Sequence, residues 1–281
     1  MKKILFPTDL SEAAERAFIY ALHLASKLEA EIITLHVYRK PDLKAATLPN
    51  TLSDFYATYD LELFENYKDS IPVLRQLAEQ HGFGHLTIHH ALEEGKVVPT
   101  ILKYIERDQI DMVIMGTTGA WGLKEIFTGS VAGELLENSP IPVLAVPEEV
   151  QFDGQINQVA FCTSYKEEEK KALEKVIQLF SPFEANIHCL NVDLGHIEFY
   201  TQGMKYFQEA FVQHTNLQFQ VLEGKDINEA VTAYMREHGI DLLAMVTHKR
   251  NFFQELFNYS HAKMMSYHSD IPVLSIPTQI L

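Results

Sequence analysis

Between Gly116 and Ser130 the chain reads Gly116-Thr117-Thr118-Gly119, nine further residues, then Gly129-Ser130. Each residue type in that pattern has a task at a phosphate. Gly116 and Gly119 let the backbone turn with positive φ and let a ligand approach without a Cβ in the way. Gly129-Ser130, opening a helix, presents unpaired N–H groups where the helix dipole favours an anion. The Ser130 hydroxyl can cap that helix or donate to a phosphate oxygen. Far upstream, Asp9 follows Pro7 and Thr8 at the end of an apolar run. Its carboxylate can accept hydrogen bonds from ribose hydroxyls or from an adenine amino group. The same residues have a purely structural reading, in which the glycines serve turn geometry and Asp9 caps a helix that starts near Ser11.

The elements that must position these groups alternate. Lys3–Thr8 is an apolar run of strand length, and Ser11–Leu28 carries apolar residues at a helical period behind a plausible N-cap, Ser11. Glu31–Tyr38, Leu86–Ala91, Met112–Met115 and Pro142–Val146 read as strands. Asn66–Gly82, Val97–Arg107 and Gly129–Asn138 read as helices. Short, wholly apolar strands separated by amphipathic helices indicate a parallel sheet covered on both faces. Such sheets bind ligands at the C-terminal strand ends where strand order reverses. That rule singles out Pro7-Thr8-Asp9, Val37 and Met115-Gly116.

The chain also repeats itself. Residues 111–130 lie over residues 241–260 at a constant offset of 130, pairing Met115 with Met245, Glu125 with Glu255, Phe127 with Phe257 and Ser130 with Ser260. Ile141-Pro142-Val143-Leu144 continues the register onto Ile271-Pro272-Val273-Leu274. At the front the offset is 155, with Thr8 over Thr163 and Leu35-His36-Val37 over Leu190-Asn191-Val192. The first half therefore carries about 25 extra residues between Arg39 and His90. Two α/β domains follow, residues 1–150 and 151–281, each with a mostly parallel five-stranded sheet and helices on both faces.

Composition narrows the function classes. A net charge of −15 argues against a sequence-independent grip on nucleic acid and against docking on an anionic membrane. No apolar run reaches the roughly 18 to 20 residues of a membrane span, and Asp9 follows the short N-terminal apolar stretch too closely for a secretory signal. The expectation is a cytoplasmic protein. Cys162 and Cys189 read as buried small hydrophobes in a reducing compartment.

The spacing Gly-x2-Gly-x9-Gly-Ser, with Pro7-Thr8-Asp9 on the first strand and Pro142-Val143 on the last, resembles the universal stress protein family. The resemblance spans the chain once per half. It implies a tandem pair of Rossmann-like α/β units, binding ATP or a related adenine nucleotide (ADP or AMP), with Mg²⁺ left open as a companion. By position it implies that Pro7, Thr8 and Asp9 line the adenosine end and that Val37 offers backbone groups to adenine. Gly116, Gly119, Gly129, Ser130 and Val131 would hold ribose and phosphates, with Met115, at the strand end before them, also part of the nucleotide site. Family members commonly pair through the last strand, so the two halves are expected to form that pair within one chain; a further homodimer stays open. The second half departs from the pattern. Val246, Lys249, Tyr259 and Ser164 stand where the first has Gly116, Gly119, Gly129 and Asp9. One nucleotide per chain is the consequence.

No Gly-x-Ser-x-Gly elbow and no Gly-x4-Gly-Lys-Ser/Thr loop occurs, and no general base is evident beside the glycines. A regulatory nucleotide binder is therefore favoured over a slow ATPase, and the intact glycine pattern favours it over a non-nucleotide interaction module. His81, His85, His89 and His90 lie close together without a carboxylate or thiol at ligand spacing, so no metal site is expected. Phe55, Tyr56, Tyr59, Phe64 and Tyr67 form an aromatic group in the extra segment, read either as packing or as a flap over the site.

Overall fold

The computed structural model of the chain describes residues 2–39, 49–117, 131–150, 152–193, 197–247 and 271–277. Along the first half these form β1 (Lys2–Pro7), α1 (Glu12–Leu28), β2 (Ala30–Tyr38), α2 (Pro49–Gln80), β3 (Ile88–Glu94), α3 (Val97–Asp108), β4 (Met112–Gly116), α4 (Val131–Asn138) and β5 (Val143–Val146). The second half continues with β6 (Gln158–Cys162), α5 (Lys170–Phe180), β7 (Asn186–Asp193), α6 (Ile197–Ala210), β8 (Leu217–Glu223), α7 (Ile227–His238), β9 (Leu242–Thr247) and β10 (Val273–Pro277).

Two compact units divide the chain, Met1–Lys124 and Glu125–Leu281. In the first, the strands lie in the order β3-β2-β1-β4, all parallel. In the second the order is β5-β10-β9-β6-β7-β8, parallel except for β5 against β10. The last strands of the two sequence halves are thus paired antiparallel, with Val273 opposite Ala145 and Ser275 opposite Val143. That pairing is why β5 counts with the second compact unit although the sequence repeat places it in the first half. The parallel strands carry the α/β architecture expected from the apolar runs, since each return to the same edge requires a helical crossover.

Local sequence explains the elements. Ser11 is the N-cap of α1, its Oγ accepting from the Ala14 N–H at 3.3 Å, and Glu12 and Glu15 favour the positive end of the helix dipole. The apolar positions Ala14, Ala17, Phe18, Ala21, Leu22, Ala25 and Leu28 are all buried. Phe18 packs on Phe6 of β1 at 5.1 Å between ring centroids, and burying such a ring contributes about 1.5–3 kcal/mol. The duplication recurs in three dimensions. Asp111, just before β4, accepts from the Lys3 backbone N–H, and Asp241, just before β9, accepts from those of Asn157 and Gln158.

The extra residues of the first half surface largely as helix. α2 runs 32 residues against 14 for α6, its counterpart. The periodicity from Asn66 onward marks only the part that packs, where Tyr67, Leu74 and Ala78 are buried. Leu61 and Phe64, upstream of Tyr67, are exposed, so the apolar period fades there. The side chains of Phe55, Tyr56 and Tyr59 lie outside the described residues.

No described helix is long and apolar enough to cross a membrane. β6 and β7 are neighbours, but Cys189 sits opposite Phe161 and Cys162 opposite Leu190. Residues opposite one another share a face, so the two thiols point to opposite sides of the sheet. Both are free and buried, and burial pushes the Cys162 thiol up to about 12.

Candidate functional site

Strand β1 lies between β2 and β4, with Ile4 opposite Met112 and Leu5 opposite Val113. Chain order departs from spatial order at this junction, so the gap beyond the C-terminal ends of β1 and β4 is the topological switch point of the first unit. Pro7, Thr8 and Asp9 stand on one side of it, and Met115, Gly116 and Thr117 on the other. Carrying the register forward from Leu5 and Val113 by two residues, still inside both strands, sets Pro7 beside Met115, with Thr8 and Asp9 following on one strand and Gly116 and Thr117 on the other. Pro7 and Met115 are buried beneath them as an apolar floor.

The turn after β1 is held by its own polar groups. Thr8 donates its N–H to the Leu35 carbonyl at 2.9 Å, and its hydroxyl accepts from the Leu10 N–H at 3.0 Å. Leu10 takes a left-handed conformation, φ +64°, that aims the following backbone back at Asp9. Asp9 Oδ1 then accepts from the Ser11 N–H at 3.1 Å and the Ser11 hydroxyl at 2.6 Å. Asp9 thus buttresses the α1 cap, as the structural reading requires, and its partly exposed carboxylate also stands at the switch point. The two readings are compatible.

Val37 is buried near the end of β2, in register with Glu93 of β3. Its neighbour His36 contributes something the motif does not mention. His36 Nδ1 lies 2.9 Å from the Thr8 carbonyl, which can only accept, so Nδ1 carries the proton. The imidazole stacks on Tyr67 of α2 at 6.0 Å, and the Tyr67 hydroxyl donates to the Ala91 carbonyl at 2.9 Å. Burial raises the Tyr67 phenol. A chain of contacts therefore links α2 to the turn that carries Asp9. Of the four histidines near β3, His89 reaches toward Glu31 while His90 bonds Thr34 across the other face.

The second unit repeats the turn and fills it with its own side chains. Thr163 donates to the Leu190 carbonyl at 2.9 Å, Tyr165 N–H donates to the Thr163 hydroxyl at 2.9 Å, and Tyr165 is left-handed at φ +53°. Asn191, in the place of His36, donates to the Thr163 carbonyl at 2.8 Å. Where the first unit has Asp9, Ser164 leaves a carboxylate missing. Glu169 supplies one from the following 3-10 turn, accepting from the Thr163 hydroxyl at 2.5 Å and the Ser164 N–H at 2.7 Å. Glu169 is 1% exposed. Tyr165, aligned with Leu10, lays its ring against Phe207 and its hydroxyl between Cys189 and Gln220.

Sequence reasoning missed Thr117, His36, Tyr165 and Glu169. Only the last pair left a signal, a bulky residue and an acid beside a degenerate turn. Thr117 is 9% exposed and its Oγ1 has no hydrogen-bond partner among the described residues. Val131 is the first residue of α4 and partly exposed. Gly119, Gly129 and Ser130, like Lys249, Tyr259 and Ser260 of the second half, lie outside the described residues.

Comparison with known proteins bears on the family and the fold. The family model described as the universal stress protein family matches residues 1–147. The universal stress protein MJ0531 of Methanocaldococcus jannaschii is 30% identical over 145 residues, covering 52% of this chain and 81% of its own length. Its relative MJ0577 from the same organism is 31% identical over 155 residues, covering 52% of this chain and 94% of its own. A crystal structure of a universal stress protein from Archaeoglobus fulgidus superposes with a TM-score of 0.73 at 20% identity, covering 98% of this chain and 96% of that one. The fold is thereby matched over both halves, and the sequence match over the half that keeps its glycines. With the model matched across that half and the architecture across the whole, the chain belongs to the universal stress protein family.

Proposed function

We propose that the first half binds ATP or a related adenine nucleotide beyond the C-terminal ends of β1 and β4, and that the protein is a cytoplasmic regulator with one such site per chain. The observation that carries the reading is the contrast between the two switch points. In the second unit Glu169 and Tyr165 turn inward and fill polar and apolar positions around the turn. In the first, Leu10 replaces the tyrosine, Asp9 stays partly exposed, and the Thr117 hydroxyl is buried without a described partner. A buried hydroxyl left unpaired fits a site built for a ligand rich in oxygen and N–H groups.

In this reading Pro7, Met115 and Val37 form the apolar side of the site, with Val37 offering backbone groups to adenine. Thr8 and Asp9 accept from the adenosine end. Gly116, Gly119, Gly129, Ser130 and Val131 hold ribose and phosphates through backbone N–H groups, which suit anions without side-chain charge. That suits a chain of net charge −15. The second half, without the glycines, acts as a structural partner, joined by the β5–β10 pairing. Bound nucleotide would then bias a partner surface by its differential affinity for two conformations.

Thermal unfolding with ATP, ADP and AMP tests the reading, since a ligand of the native state alone raises stability by about 2.7 kcal/mol at a hundred times its Kd. A rise is expected in the wild type. It should vanish on replacing Gly119 with a bulky residue and persist on changing Lys249. An unchanged melting temperature at saturating nucleotide refutes it.

A further inference from the structure

Thr117 and Thr247 are equivalent at the repeat offset of 130, Thr117 directly after Gly116 at the end of β4 and Thr247 the last residue of β9. Both are nearly buried, 9% and 8% exposed. Their hydroxyls behave differently. Thr247 Oγ1 donates to the Ile276 carbonyl of the adjacent β10 at 3.3 Å. Thr117 Oγ1 has no partner among the described residues and is shielded from solvent. A hydroxyl taken out of water and left unpaired opposes folding, so its retention in a native protein calls for a partner that the chain itself does not supply. The hydroxyl lies just past the C-terminal end of β4, which neighbours β1, and so at the switch point of the first unit.

Resting on the nucleotide reading above, we propose that the Thr117 hydroxyl donates a hydrogen bond to an oxygen in the ribose–phosphate half of the nucleotide. Asp9, two residues past the end of the neighbouring β1, carries an acceptor, so the switch point offers the ligand a hydroxyl donor from one strand end and a carboxylate acceptor from the other. Phosphate oxygens accept, and ribose hydroxyls do both, so either satisfies Thr117. In the second unit the same hydroxyl is already satisfied by the protein. Position 117 therefore separates the binding half from the structural half independently of the glycines.

Thr117→Val, nearly isosteric, removes the hydroxyl alone; Thr117→Ser keeps it, and Thr247→Val is the matched change in the other unit. The probes are ATP and adenosine, titrated by calorimetry, with melting temperatures measured on ligand-free protein. Thr117→Val is expected to weaken ATP about 3- to 10-fold, the loss set by one hydrogen bond. Its ligand-free melting temperature should be unchanged or higher. Thr117→Ser should restore binding to within about twofold of wild type. Thr247→Val should lower the melting temperature and leave the Kd unchanged. A loss for ATP alone assigns the bond to a phosphate oxygen, and a loss for adenosine as well assigns it to the sugar. Wild-type affinity for both probes in Thr117→Val overturns the proposal while leaving the nucleotide reading intact. So does a ligand-free destabilisation equal to that of Thr247→Val, which would mean a protein partner for the hydroxyl. Failure of the wild type to bind either probe refutes the underlying reading and the proposal with it.

Discussion

Removing one oxygen from Tyr165 should destabilise the second unit without touching the first. The phenol oxygen is within 2.6 Å of the Cys189 carbonyl and 2.9 Å of the Gln220 carbonyl, and it accepts from the Gln220 N–H at 3.1 Å. A single hydroxyl proton serves one carbonyl at a time, so Tyr165→Phe costs one donated and one accepted hydrogen bond. Each contributes about 0.5–1.5 kcal/mol net, and the residue is 5% exposed, so water cannot easily replace the lost partner. The expected loss is about 1–3 kcal/mol. For a unit of this size that lowers Tm by about 2–4 °C per kcal/mol. Urea unfolding followed by near-ultraviolet circular dichroism reads it directly. Tyr67→Phe is the control in the first unit: its hydroxyl donates to the Ala91 carbonyl, and the loss should be smaller, about 1 kcal/mol. A Tyr165→Phe midpoint equal to wild type would refute the view that this side chain fills the second switch point as a bonded plug. A nucleotide-induced shift that disappeared in the same variant would count equally against the independence of the two units.

Asp9→Ala should weaken nucleotide at least about tenfold and also cost about 1 kcal/mol of stability, because Oδ1 supports the Ser11 cap; calorimetry and urea midpoints separate the two effects. Gly203→Ala brings a Cβ to 2.9 Å from the Tyr165 carbonyl oxygen and 3.0 Å from its Cβ. The helix-propensity gain of about 1 kcal/mol is then outweighed by about 1–3 kcal/mol of overpacking, and the urea midpoint should fall rather than rise. His188 donates to or accepts from Gln158 and Tyr234 while His238 packs beside it, and burial first, then His238, lowers its pKa. The unfolded chain then binds a proton more readily than the folded one, so stability should be full above about pH 6.5 and fall below it until the folded His188 titrates. Burial also lowers His90, which acts in the same window, so the double replacement of both histidines should flatten the urea midpoint from pH 8 to 5.

How far the site could be read in advance depended on what its residues do with their side chains. Asp9, Thr8 and Gly116 announced themselves because a strand that ends in Pro-Thr-Asp, and another that ends in glycine, is a local pattern. Thr117 did not, since its importance lies in what is absent around its hydroxyl, and that is a property of packing. His36 reads in sequence as an ordinary polar position on a strand; only the folded chain shows it bridging the Thr8 carbonyl and Tyr67. The start of α2 was misplaced for a related reason. Its packing face begins near Tyr67, and upstream the exposed Leu61 and Phe64 show no buried face to create a period.

Sequence alone determined the duplication, the alternation of strand and helix, and the loss of glycine in the second half, because each is written in local periodicity or in a fixed offset. Tertiary structure alone decided which strands are neighbours, and so where the switch points fall. It also decided that β5 pairs antiparallel with β10, which no local pattern encodes because register and partner are chosen by packing. The same holds for the fate of two equivalent threonines. Their identity is in the sequence, but whether a buried hydroxyl meets a carbonyl, as that of Thr247 meets Ile276, or is left unpaired among the described residues, as that of Thr117 is, depends on neighbours distant in the chain.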